Sequence, residues 1–150
     1  MVTMVVDHMD LGLPSAISFR REEHMFALCH DYMFMRSDRG VLYMSEVDLG
    51  LPMPDYFVAA FREKIHSVSA RRDVLLAGAT VRGAEAVKMG IVEATFDSEE
   101  KLGEGTVRLA EQLMKRKWNG DNYQEIRRSL YPNLCGELGL AVARTVGARL

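Results

Sequence analysis

Arg39-Gly40-Val41-Leu42-Tyr43-Met44-Ser45-Glu46-Val47-Asp48-Leu49-Gly50-Leu51-Pro52-Met53-Pro54 is the stretch around which the chain is read. Gly40 follows the polar run Arg36-Ser37-Asp38-Arg39 and opens a strand over Val41 to Ser45, built of β-favouring and apolar residues. Glu46 comes at the end of that strand, with Met44, Val47, Leu49 and Leu51 about it, before Gly50 and two prolines break the chain. Apolar neighbours strip a carboxylate of hydration and disfavour its charged form, the condition under which an acid can take up and return a proton. Residue type alone makes Glu46 an ordinary half-exposed acid; its apolar frame, on a loop held by rigid elements, makes it a candidate for chemistry.

Working upstream, Tyr32 to Met35 reads as a buried strand ended by Arg36 to Gly40, and His24 through Cys29 as a buried helical turn. Ser15 to Glu23 is charged and poor in glycine. Met1 to Leu13 places Met4, Val5, Met9 and Leu13 on one side of a helix stopped near Gly12 and Pro14. Downstream, a helix from Asp55 to His66, capped by Asp55, presents Phe57, Val58, Phe61 and Ile65 to a core. A second starts at Ser67 or Ser69 and runs to Ala77, burying Val74 and Leu75. Thr80 caps a short helix that stops at Gly90, and Ile91 to Phe96 alternates as a strand. Ser98 opens a longer helix to Lys115, weakened early by Gly103 and Gly105. Beyond Asp121 the chain is helical, interrupted around Pro132 and at Gly136. The expected total is helix-rich with three or four short strands.

A length of 150 residues suits one domain. With 48% hydrophobic and 27% charged residues, the composition is that of a globular protein. A formal charge of −2 gives no general attraction to nucleic acid. The basic cluster Lys115-Arg116-Lys117-Trp118 fits the solvated end of a helix. Cys29 and Cys135 make no disulfide framework, and with His8, His24, His30 and His66 they show no metal-ligand spacing. Cys29 and His30, adjacent on an extended segment, point to opposite faces and make no nucleophile–base pair. No apolar stretch is long enough for a membrane span, no signal peptide is expected, and Gly83 to Gly90 lacks the pattern of a phosphate loop.

Four segments in order carry a family resemblance. They are Ala27-Leu28-Cys29-His30-Asp31-Tyr32, Leu42 through Leu51, Arg71-Arg72-Asp73-Val74-Leu75-Leu76, and Gly83-Ala84-Glu85-Ala86-Val87-Lys88-Met89-Gly90-Ile91-Val92. Together they resemble the enoyl-CoA hydratase/isomerase (crotonase) family, most closely its plant-type peroxisomal Δ3-Δ2-enoyl-CoA isomerases, over residues 27–110 and more loosely beyond. The resemblance implies an α/β fold: a partial crotonase-like β-β-α spiral with a helical C-terminal region. Residues 1–150 then form a single domain, with the core over about 1–97 and the helical region over about 98–150.

It also implies a chemistry, in which a 3-enoyl-CoA is converted to the 2-trans-enoyl-CoA of fatty-acid β-oxidation. Glu46 falls on the position that moves a proton from C2 to C4. No cofactor is implied, acyl-CoA being the substrate, and the C-terminal helices would serve a homo- or hetero-trimer. Hydratases of the family use two glutamates, and the first of those positions is Met25 here, which favours the isomerase. Two departures stand against that. The family's N-terminal strands have no counterpart, so the chain reads as N-terminally truncated, with uncovered strand edges and poor solubility expected. The family's Gly/Ala-rich turn is replaced by Ser18-Phe19-Arg20-Arg21-Glu22-Glu23, whose bulk and charge oppose an oxyanion. The alternatives are a catalytically silent homologue acting as an oligomerisation partner, and a hydratase. Ala148-Arg149-Leu150 resembles the small-basic-Leu tripeptide of peroxisomal proteins, which sets peroxisome ahead of cytoplasm.

Overall fold

A computed structural model describes the backbone of residues 3–6 and the whole of residues 27–140. The readings made for residues 7–26 and 141–150 lie outside the described residues. In chain order the elements are strand β1 (Thr3–Val6), β2 (Tyr32–Arg36), β3 (Val41–Leu42), helix α1 (Glu46–Leu49), α2 (Asp55–Lys64), α3 (Val68–Leu75), β4 (Val81–Arg82), α4 (Gly83–Lys88), β5 (Ala94–Phe96), α5 (Glu99–Met114), α6 (Gly120–Leu130) and α7 (Pro132–Glu137).

β1, β2 and β5 form a three-stranded sheet in the order β1-β2-β5, all parallel. The central strand carries Met33, Phe34 and Met35 in succession, all buried, as expected where a parallel sheet is covered on both faces. Of the helical reading made for Met1 to Leu13, β1 corrects the part at Thr3 to Val6, which pair in register with Tyr32 to Met35; residues 1–2 lie outside the described residues. Four residues containing Val5 and Val6 suit an extended chain, and a ready strand edge outweighs a short helical pattern. β5 is shorter than the expected Ile91 to Phe96. Ile91 N–H bonds back to Ala86 O at 2.9 Å and both Ile91 and Val92 pack into the core, so pairing starts only after Glu93. Glu93 holds the join twice: its N–H donates to Met33 O, and its carboxylate accepts from Met33 N–H.

β3 and β4 make a two-residue antiparallel ribbon, Val41 opposite Arg82 and Leu42 opposite Val81. Val81 and Arg82 are drawn into that ribbon, so the following helix starts at Gly83 and Thr80 is not its cap. The turn leading to the ribbon needs a glycine, since a Cβ on Gly40 would overlap Met35 Cγ and the Arg36 carbonyl.

The helices follow their caps. Ser67 starts α3 by accepting from Ala70 N–H, and Ser98 starts α5 by accepting from Lys101 N–H. α2 departs from expectation: Asp55 is already helical, Pro54 is the flanking residue, and the acid serves the dipole instead. α2 buries Phe57, Ala59, Ala60 and Phe61, and packs on α7. The first amides of α7 donate to the carboxylate of Glu63 on α2, Asn133 N–H at 2.8 Å and Leu134 N–H at 3.1 Å. Gly136 lies inside α7 and does not interrupt it; the break falls at Tyr131 and Pro132. α5 lies across β1, β2 and β5. The architecture is mixed α/β with a helical C-terminal part, and five strands among the described residues.

Candidate active site

Glu46 does not end a strand, as its surroundings in sequence suggested, but begins a one-turn helix. β3 stops at Leu42, Met44 turns inward to 2% exposure, and Glu46 opens α1. The turn is closed by Leu49 N–H to Ser45 O at 3.0 Å and Leu51 N–H to Glu46 O at 2.9 Å, with Gly50 in the left-handed region at φ 64°.

The arrangement inverts the usual amphipathic rule. Glu46 is 2% exposed, whereas Val47, Leu49 and Leu51 are each close to half exposed. Placing a carboxylate inside while three aliphatic side chains face outward is costly to hydration and gains little apolar burial. Tyr43, three residues earlier, donates its hydroxyl to Asp48 Oδ2 at 2.5 Å. That bond, followed by partial burial and the negative charges of Asp48 and Glu46, raises the phenol above its ordinary value. Asp48 pairs with this tyrosine, and Arg36 and Arg39 both go to Asp38. Leu28, Tyr43, Met44, Phe61 and Ile65 line an apolar void of about 20 Å³ in the core beneath the turn.

A second cluster lies at Cys29, His30 and Asp31. Asp31 accepts from Tyr123 Oη at 2.8 Å and Arg127 Nε at 2.8 Å, and lies 3.5 Å from Lys64 Nζ. Arg127 also donates to Cys29 O, and Lys64 to His30 O. Burial opposes the Asp31 charge, but the bonds from Arg127 and Tyr123 outweigh it and hold the carboxyl below its ordinary range. Burial and Asp31 together push the Tyr123 phenol up to about 12. An open cleft of about 870 Å³ runs beside this cluster, walled by Leu113, Met114, Trp118 and Tyr123. The cluster joins a loop to two helices. Its partners stand 92 and 96 residues from Asp31, so no local pattern could have announced them. Among the described residues, no group of three or more His, Cys, Asp or Glu could hold a metal ion.

The fold is that of crotonase-like α/β proteins. It superposes on an enoyl-CoA hydratase/isomerase family protein from Pseudomonas syringae with a TM-score of 0.66 at 19% identity, covering 79% of this chain and 51% of that one. An enoyl-CoA isomerase from Mycobacterium tuberculosis gives 0.62 at 13% identity, covering 78% and 53%. The sequence settles the family: the pattern of enoyl-CoA hydratase/isomerase matches residues 24–130, and the chain belongs to that family. It is 60% identical over 117 residues to the peroxisomal enoyl-CoA delta isomerase 2 of Arabidopsis thaliana, covering 77% of this chain and 49% of the relative. It is 36% identical over 158 residues to the peroxisomal enoyl-CoA delta isomerase 1 of the same plant, covering 99% and 66%. The 60% identity recurs with enoyl-CoA delta isomerase 3, at 74% and 47% coverage. The chain therefore spans about half the length of these two 60%-identical relatives.

Proposed function

We propose that the chain carries the acid/base centre of an enoyl-CoA isomerase acting on 3-enoyl-CoA thioesters. In this reading the Glu46 carboxylate removes a proton from C2. The electron pair moves into the thioester carbonyl, giving an enolate, and the double bond re-forms between C2 and C3 as protonated Glu46 returns the proton to C4. The same proton is taken and given back, so the step balances without water or a redox partner. A single side chain serves because it is regenerated within one turnover. The observation that carries the reading is the inverted turn, with Glu46 buried at 2% among outward-facing aliphatic residues. The delta isomerase relatives support isomerase over hydratase, and Met25 in place of a second glutamate agrees with them.

The test is a coupled assay on 3-enoyl-CoA with the wild-type chain and Glu46→Gln, which keeps the side chain's size but cannot accept the proton. Wild-type turnover that falls by roughly 10²–10⁴-fold in Glu46→Gln is expected; turnover left unchanged removes Glu46 from the mechanism. A second reading, a catalytically silent partner of a homologous subunit, is favoured by the exposed Val107, Met114, Ile126 and Leu130 on α5 and α6. No turnover in either protein, with co-purification of such a homologue, supports it. Two of the isomerase relatives are peroxisomal by name, and peroxisomal residence is proposed on that basis. Deleting Ala148-Arg149-Leu150 from a fluorescent fusion is then expected to release it to the cytosol.

A further inference from the structure

The turn that presents Glu46 is bridged by a hydrogen bond the reaction itself does not use. Tyr43 lies three residues before Glu46 and Asp48 two residues after it, so the 2.5 Å bond from the Tyr43 hydroxyl to Asp48 Oδ2 spans the acid. The same Asp48 oxygen also lies against Gly78, held at φ 58°, where a Cβ would come 2.9 Å from Asp48 Oδ2 and 3.3 Å from Val47 Cγ1. The turn thus rests against a phenol and a glycine. Packing adds little restraint on its outer side, because Val47, Leu49 and Leu51 face outward.

The geometry points to Tyr43 and Asp48, seated against Gly78, as a clasp that positions the Glu46 carboxylate. This rests on the isomerase reading of Glu46. Both are positioning residues: neither has to touch the substrate, and each acts by fixing the turn on which the acid is mounted. The bond to Asp48 raises the phenol above its ordinary value, so the proton stays in the bond across neutral pH. A glycine at 78 lets the turn approach closely enough for the bond to form.

The test compares Tyr43→Phe, Asp48→Ala, Asp48→Asn and the Tyr43→Phe/Asp48→Ala double variant in the full chain. Hydrogen exchange is read at the Leu49 and Leu51 amides, and kcat and KM are measured on 3-enoyl-CoA. Tyr43→Phe and Asp48→Ala are each expected to speed exchange at both amides and lower kcat by about fivefold, the loss of one ordinary hydrogen bond, with KM little changed. Asp48→Asn still accepts from the phenol and stays near wild type. The double variant is no worse than either single one. Unchanged exchange in both single variants overturns the clasp, whatever the activity. Faster exchange with kcat intact, or an additive loss in the double variant, overturns its positioning role. A wild-type chain without turnover overturns the isomerase reading itself and the positioning role with it, a result separate from the exchange data.

Discussion

Asp31→Ala tests how the loop leading into β2 is tied to the C-terminal helices. The Asp31 side chain is 12% exposed and faces three donors, Tyr123 Oη and Arg127 Nε at 2.8 Å and Lys64 Nζ at 3.5 Å. A hydrogen bond to a charged group contributes about 1.5–3 kcal/mol when both partners are sheltered. The Arg127 side chain is 38% exposed, so its share is discounted toward the surface value of under about 1 kcal/mol. Lys64, at 8% exposure, loses its counter-charge but keeps His30 O and the Tyr131 ring 3.8 Å away, which limits the cost of stranding it. Together these give a loss of about 3 kcal/mol near neutral pH. The pH dependence follows from the lowered carboxyl. A depressed folded-state value means the contribution is fully present above the unfolded value of about 3.9, and is lost as pH falls through the folded one. Urea unfolding of wild type and Asp31→Ala at pH 7 and at steps down to pH 3.5 measures the difference. A gap below about 0.5 kcal/mol at pH 7 would refute the reasoning, since that is no more than an ordinary surface substitution. A gap that widened on acidification would refute it too.

The Tyr123 phenol is expected to titrate near 12 by absorbance at 295 nm. Because its folded value is raised, the stability it contributes is present below about 10 and lost as pH rises through about 12; Asp31→Asn moves the titration down. Two glycines of α5 are expected to respond with opposite signs. Gly103→Ala meets nothing within 4 Å and stabilises through helix propensity by about 1 kcal/mol, raising Tm, whereas a Cβ on Gly105 overlaps the Phe96 ring and lowers Tm. Thermal unfolding of the two variants checks this, and equal shifts of one sign would contradict the packing of α5 on β5.

Much of the local structure was legible because its causes are local. Ser67 and Ser98 cap the helices they precede, Gly90 takes the left-handed conformation that stops α4, and the apolar run at Tyr32 to Met35 is the buried strand. Gly105 was read only as a weak point of its helix, since propensity carries no record of the Phe96 ring that needs the space. The same limit applies to Thr3 to Val6: side-chain pattern allowed a helix, and only the free edge of β2 made it a strand.

The sequence by itself determined the family, through four short segments in order, and singled out Glu46 as the acid to watch, because residue identity and spacing are written there in full. Tertiary structure alone decided that Glu46 is buried while its aliphatic neighbours face out, that Tyr43 spans it to Asp48, and that Asp31 gathers Tyr123 and Arg127 from more than 90 residues away. The reason is physical. Propensity and periodicity act over a turn or two of chain, whereas burial and long-range hydrogen bonds depend on which segments the folded core brings together.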